Sequence, residues 1–196
     1  MRRVVAREAS PASLPRCGAL PGATVPNSAP LVQLHQDIDA RVNAIRTDHA
    51  NWLCGKGCAA CCRRLAHAPQ LTAAEWQLLR EGLAALPAQR LETISLGMTA
   101  LATPQPGHVI CPLLDQATNA CLVYAHRPVA CRSYGFYVQR DLGLYCSDIE
   151  ALVAGGALAD VLWGNHDAVD RQLAALGERR PVHEWFGDPT VGLACL

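Results

Sequence analysis

The stretch CGKGCAACCRR, Cys54 to Arg64, places four cysteines within nine residues, with Cys61 and Cys62 adjacent and Gly55 and Gly57 in the first gap. Adjacent cysteines rarely meet disulfide geometry, so this is a poor start for a disulfide knot. Continued as a single helix, Cys54, Cys58, Cys61 and Cys62 would fall within an arc of roughly 100°. The glycines predict a looser opening turn feeding a helix from near Gly57 to Leu65. Either way three or four thiolates can converge, and thiolate is the soft ligand that selects zinc and iron.

A second segment, CPLLDQATNACLVYAHRPVACRSYGFY, carries Cys111, Cys121 and Cys131 with nine residues between each pair; Cys146 follows in GLYCSD. HVICPLL and CLVY read as short strands around the polar turn DQATNA, a hairpin that folds Cys111 and Cys121 together. The HRP turn can bring Cys131 back. The candidate metal ligands are therefore Cys54, Cys58, Cys61, Cys62, Cys111, Cys121, Cys131 and Cys146, while Cys17 and Cys195 read as bystanders.

CGKGCAACC, CPLLD and CLVYAHRPVACR together resemble the CxxCxxCC family of zinc- or iron-chelating domains, also called YkgJ-like cysteine-cluster proteins. C-x-x-Y-x-x-R-P-x-x-C-R is the more specific half. The opening gap here is one residue longer than the family name implies. The resemblance covers about Trp52 to Cys146 and implies a metal cluster more firmly than a reaction. A related cysteine module occurs in flagellin lysine N-methylase, where an iron–sulfur cluster is implied. CGKGCAAC also fits the C-x3-C-x2-C of radical SAM enzymes, but the next 50 residues read as two helices and not as a barrel.

That spacing can hold three corners of a [4Fe–4S] cluster, so an iron–sulfur cluster is favoured. Zinc remains the alternative, although these cysteines do not divide naturally into two zinc knuckles. Four thiolates around either centre leave a net charge of −2, which is costly to bury without compensation. Lys56, Arg63, Arg64, Arg127 and Arg132 lie in or beside the motifs, and Arg127 and Arg132 are expected to support the centre. Tyr124, Tyr134, Phe136 and Tyr137 can shield it from water or simply pack. His126, and more weakly His67, His108 and His166, are lesser ligand candidates.

Outward from these segments the chain reads as helix. Leu31, Leu34, Ile38, Val42 and Ile45 mark a helix reaching Trp52. Thr72 and Glu75 form a capping box before a stripe of Trp76, Leu79, Leu83 and Leu86. Pro87 opens a further helix through Leu91, Ile94, Met98 and Leu101. Helix returns at Asp148, breaks near Gly155 and Gly156, and resumes through ADVLWGNHDAVDRQLAAL to Gly177; the tail after Pro181 reads as irregular. The expected fold is mainly α, a small helical domain whose cysteine-rich hairpin closes over a metal centre. Residues 1–30, rich in Pro, Ala, Gly and Ser, read as a mobile extension and 31–196 as a single domain.

The 196 residues are half hydrophobic and carry 17 basic and 17 acidic side chains. Zero formal charge argues against a broad nucleic-acid or anionic-membrane footprint. No apolar run approaches the roughly 20 residues of a membrane span. The basic start MRRVVAREAS lacks the apolar run of a secretory signal, so the expected compartment is the cytoplasm, where thiols stay reduced. Ten cysteines fall below the roughly 8–10% of a disulfide scaffold. Asp115 is a lone carboxylate, and there is no phosphate loop or serine triad, so no catalytic residue is assigned. The expected function is metal binding. The centre can serve structurally in a protein with a protein partner, in metal delivery, or as a redox or protein-modifying cluster.

Overall fold

The computed structural model describes residues 29–103, 107–140 and 142–192. Residues 1–28 of the expected extension, with Cys17, and also Cys195, lie outside the described residues.

Helix α1, Ala29–Asp48, buries Leu31, Leu34, Ile38, Val42 and Ile45 on one face, as their spacing predicts. It stops four residues short of Trp52, in a turn where Trp52 N–H bonds to the His49 carbonyl at 3.0 Å. Helix α2, Ala60–Arg63, is a single turn, shorter than expected. Gly57 adopts φ +94° and so cannot be helical, and Cys58 N–H closes a turn onto the Gly55 carbonyl at 3.1 Å. Strand β1, Gln70–Thr72, leads into α3, Ala73–Ala84. The capping box is formed: Thr72 Oγ1 accepts from Glu75 N–H, and the Glu75 carboxylate accepts from Thr72 N–H. Pro87 caps α4, Ala88–Leu101, whose Ile94 and Met98 are buried.

The hairpin exists but is small: β2, Leu114–Asp115, pairs with β3, Ala120–Cys121. HVICPLL is otherwise not strand; Val109 makes one isolated bridge to Leu65. A 3-10 turn, Tyr124–His126, precedes α5, Val129–Ser133. Then follow β4, Tyr137–Gln139; β5, Leu142–Leu144; α6, Ser147–Ala154; β6, Gly164–Asn165; and α7, His166–Ala175. The break at Gly155 and Gly156 is present, but the next helix starts at His166. The ADVLWGN run instead ends in β6, parallel to β4, with the Asn165 side chain accepting from Ala168 N–H. Residues 179–187 are regular, too: β7, Arg179–Pro181, pairs with β1, and α8, Val182–Gly187, buries Val182, Trp185 and Phe186.

The architecture is thus mainly α with small two- and three-stranded sheets. Its apolar interior has two parts. One gathers α1 with Val129, Phe136, Tyr137, Ile149 and Val169, and Cys54 and Cys146 pack against it. The other gathers Leu71, Trp76, Leu83, Met98, Val123 and Trp185, and Cys111 and Cys121 pack against that one. Helix α3 serves both, giving Ala74 to the first and Trp76 and Leu79 to the second.

Candidate metal centre

Two chain segments meet where these parts adjoin. Cys54, Cys58, Cys61, Cys62, Cys111, Cys121 and Cys131 all line one cavity, whose opposite wall is apolar and includes Leu71, Leu79, Met98 and Val182. Cys146, at the start of α6, is not among the lining residues; it stands with Cys54 and Cys61 near Tyr134. All eight of these cysteines are free thiols.

Local contacts explain each placement. Cys54 follows α1 in a loop. Its Sγ lies 3.6 Å from the Tyr134 carbonyl, and its own carbonyl accepts from Arg46 Nη2 at 3.1 Å. Trp52 Nε1 donates to the Gly135 carbonyl at 3.2 Å, pinning the same junction. Cys58 is exposed in the glycine turn. Cys61 and Cys62 on α2 hold their sulfurs 3.9 Å apart. Two tetrahedral thiolates on one zinc would stand about 3.8 Å apart, from a Zn–S bond of about 2.3 Å. Cys111 N–H donates to the Cys62 carbonyl at 2.7 Å, which ties the second segment to the first. Cys121 sits opposite Leu114 in the hairpin.

Cys131 comes in on the short helix α5, and Glu75 fixes that helix. Glu75 is 1% exposed. One carboxylate oxygen accepts from Thr72 N–H and Oγ1, and the other accepts from Val129 N–H at 2.9 Å. The same side chain therefore completes the α3 capping box and satisfies the first turn of α5.

Arginines brace the RP-x-x-CR string. Arg127 lines the cavity, lies 3.6 Å from the Tyr124 ring centre, and donates to the carbonyls of Tyr124 and Cys131. Lys56 Nζ stands 5.7 Å from the same ring. Arg132 is not on the cavity wall. It donates to the carbonyls of Arg127 and Ala125 and pairs with Asp39 at 3.1 Å. Arg63 bonds to Asn119 at 2.6 Å on the surface, and Arg64 is exposed. Tyr124 and Tyr134 line the cavity, whereas Phe136 and Tyr137 belong to the first core. None of the candidate histidines lines the cavity; the His126 ring packs on Gly82.

Crowded, desolvated thiols resist ionisation. Burial, then the neighbouring Cys58 and Cys61, push Cys54 up to about 12. Hydrogen bonding with Cys111 and then burial push Cys62 up to about 12. Cys61 is raised chiefly by its bond to Cys62, and Cys121 and Cys131 chiefly by burial. Without a cation these five thiols therefore favour the neutral form; a bound metal would displace the protons of those that ligate it. The donor set fits zinc or an iron–sulfur cluster. Among the described residues, though, no three Cys, His, Asp or Glu side chains converge as a ligand set for a single ion.

In the sequence Glu75 reads only as a cap, and neither Gly135 nor Arg46 stands out. The signal for Gly135 is its place three residues after the CR pair; its φ of +88° is closed to most side chains.

The fold and this thiol-lined cavity define a cysteine-cluster domain. Residues 53–149 match the model of the CxxCxxCC family, described as "Putative zinc- or iron-chelating domain". No curated protein and no solved structure matches the chain significantly.

Proposed function

We propose that the protein holds an iron–sulfur cluster, with [4Fe–4S] favoured and Cys54, Cys58, Cys61 and Cys131 as its thiolate ligands. The observation that carries this reading is the cavity: seven thiols from two distant segments surround one space instead of meeting at one point. A cubane offers its ligand positions at separate corners, so it suits thiols arranged in that way. The apolar far wall keeps water from the cluster, and Arg127 offsets its charge. Cys62, Cys111 and Cys121 complete the thiol wall, and Cys146 stands behind it.

Zinc is the second reading, favoured by the 3.9 Å separation of the Cys61 and Cys62 sulfurs. In that case the centre is structural, and the protein acts through a protein partner. A redox or protein-modifying role needs an accessible ligand edge, and exposed Cys58 supplies one. Reduced thiols suit the cytoplasm. Among the described residues no helix is long and apolar enough to cross a membrane.

Anaerobic purification with iron, zinc and acid-labile sulfide analysis separates the two metals. The expected result is a brown protein whose sulfur-to-iron absorption dithionite bleaches and Cys58→Ser removes. Colourless protein with stoichiometric zinc, and no cluster after reconstitution, would reject iron in favour of zinc.

A further inference from the structure

Behind the thiol cavity lies a second groove, which shares Cys54, Tyr124 and Arg127 as a common wall. Three guanidinium groups face it, Arg46, Arg127 and Arg132, against the single carboxylate of Asp39. Three positive charges less one negative leave two positive, in a chain whose formal net charge is zero. Arg132 pairs with Asp39 at 3.1 Å, which leaves Arg46 and, shared with the thiol cavity that it also lines, Arg127.

Both side chains are preorganised and only partly used. Arg46 gives one Nη2 bond to the Cys54 carbonyl and lies 5.1 Å from the Phe136 ring centre. Arg127 spends Nε and Nη1 on backbone carbonyls and stacks on Tyr124. An arginine carries five N–H donors, and among the described residues no acceptor is bonded to the remaining donors of either side chain. A guanidinium already immobilised by backbone bonds and ring stacking loses little further freedom when it takes an oxyanion. The floor between them includes Val42 and Asn43, and Asn43 is an exposed, neutral position of α1.

We infer that this groove binds a small oxyanion, a carboxylate or phosphate, between Arg46 and Arg127 on the outer face of the Cys54 wall. The site goes beyond metal binding and does not depend on which metal the cavity takes. It would place an anionic small molecule, or the anionic end of a larger one, against the back of the thiol centre.

The experiment is calorimetric titration of the purified, metal-loaded protein with inorganic phosphate and, separately, with acetate. It is run at low ionic strength because exposed charges are screened by salt. The expected result is saturable one-to-one binding of one of the two, and which one binds assigns the chemistry. Asn43→Asp, which adds a carboxylate to the groove at an exposed helix position and leaves both arginines in place, should weaken binding at least tenfold. Binding of neither anion would overturn the inference, as would wild-type affinity in Asn43→Asp. These outcomes leave the metal reading intact, because metal content is measured separately.

Discussion

Gly135 lies so close to Cys54 that a Cβ built on it would stand 2.8 Å from the cysteine sulfur. The contact joins the two cysteine segments across 81 residues of sequence. It also explains why the backbone turns at a glycine there: φ is +88°, and the N–H is committed to the Leu144 carbonyl at 2.7 Å.

Gly135→Ala should therefore act on the centre as well as on stability. The left-handed backbone alone costs roughly 1–2 kcal/mol for a residue with a Cβ, and the clash pushes Cys54 out of place. Metal analysis and thermal melting of the variant check this; full metal content at wild-type stability would disprove the packing argument.

Glu75→Ala should destabilise by about 3 kcal/mol, since it removes a cap and leaves the Thr72 and Val129 N–H groups buried without acceptors. Glu75→Gln keeps one oxygen and should fall between. Denaturant unfolding gives both numbers. Because α5 carries Cys131, metal content should fall in the same order; a variant that loses stability but no metal would separate the two roles.

Cysteine replacements should divide by position. Cys131→Ser and Cys61→Ser should lose metal and melt lower, while Cys146→Ser, off the cavity wall, should keep its metal. Cys17→Ser and Cys195→Ser should behave as wild type. Uniform loss across all five would show that the cavity does not define the ligands.

His35 predicts a pH dependence. It is 8% exposed, and its Nε2 has no hydrogen-bond partner among the described residues. Burial, helped by Arg132 and opposed by Asp39, holds its imidazole down to about 4 from 6.5. The unfolded chain binds the proton more readily, so the contribution is complete above about pH 6.5 and is lost as pH falls towards 4. The loss is about 3 kcal/mol at most. Denaturation midpoints of wild type and His35→Leu between pH 7.5 and 4 provide the comparison; an unchanged slope in the variant rules His35 out as the source.

Much of this was legible where a local rule sufficed. The α1 stripe, the Thr72–Glu75 box and Pro87 before α4 are encoded by neighbours in sequence. The hairpin was readable as a turn but not in its extent, because β2 and β3 pair over only two residues each. The β1–β7 pair joins Leu71 to Arg180, and strands of three residues, one ending in proline, carry no periodic signal. Val182, Trp185 and Phe186 do carry one, at helical spacing, but over a single short helix that the flanking prolines and glycines make read as irregular. The gathering of seven thiols at one cavity was expected from their number. Glu75 bonding to Val129, and Gly135 making room for Cys54, are meetings across long stretches of chain that no local pattern announces.

The two-part interior has a consequence for cooperativity. Cys54 packs with one part and Cys111 and Cys121 with the other, so a bound metal would bridge two halves that α3 also joins. A loaded protein should melt as one unit, because neither half can open without breaking metal–sulfur bonds. Stripped of metal under reducing conditions, the halves should come apart at different temperatures, giving two calorimetric transitions where the loaded form gives one.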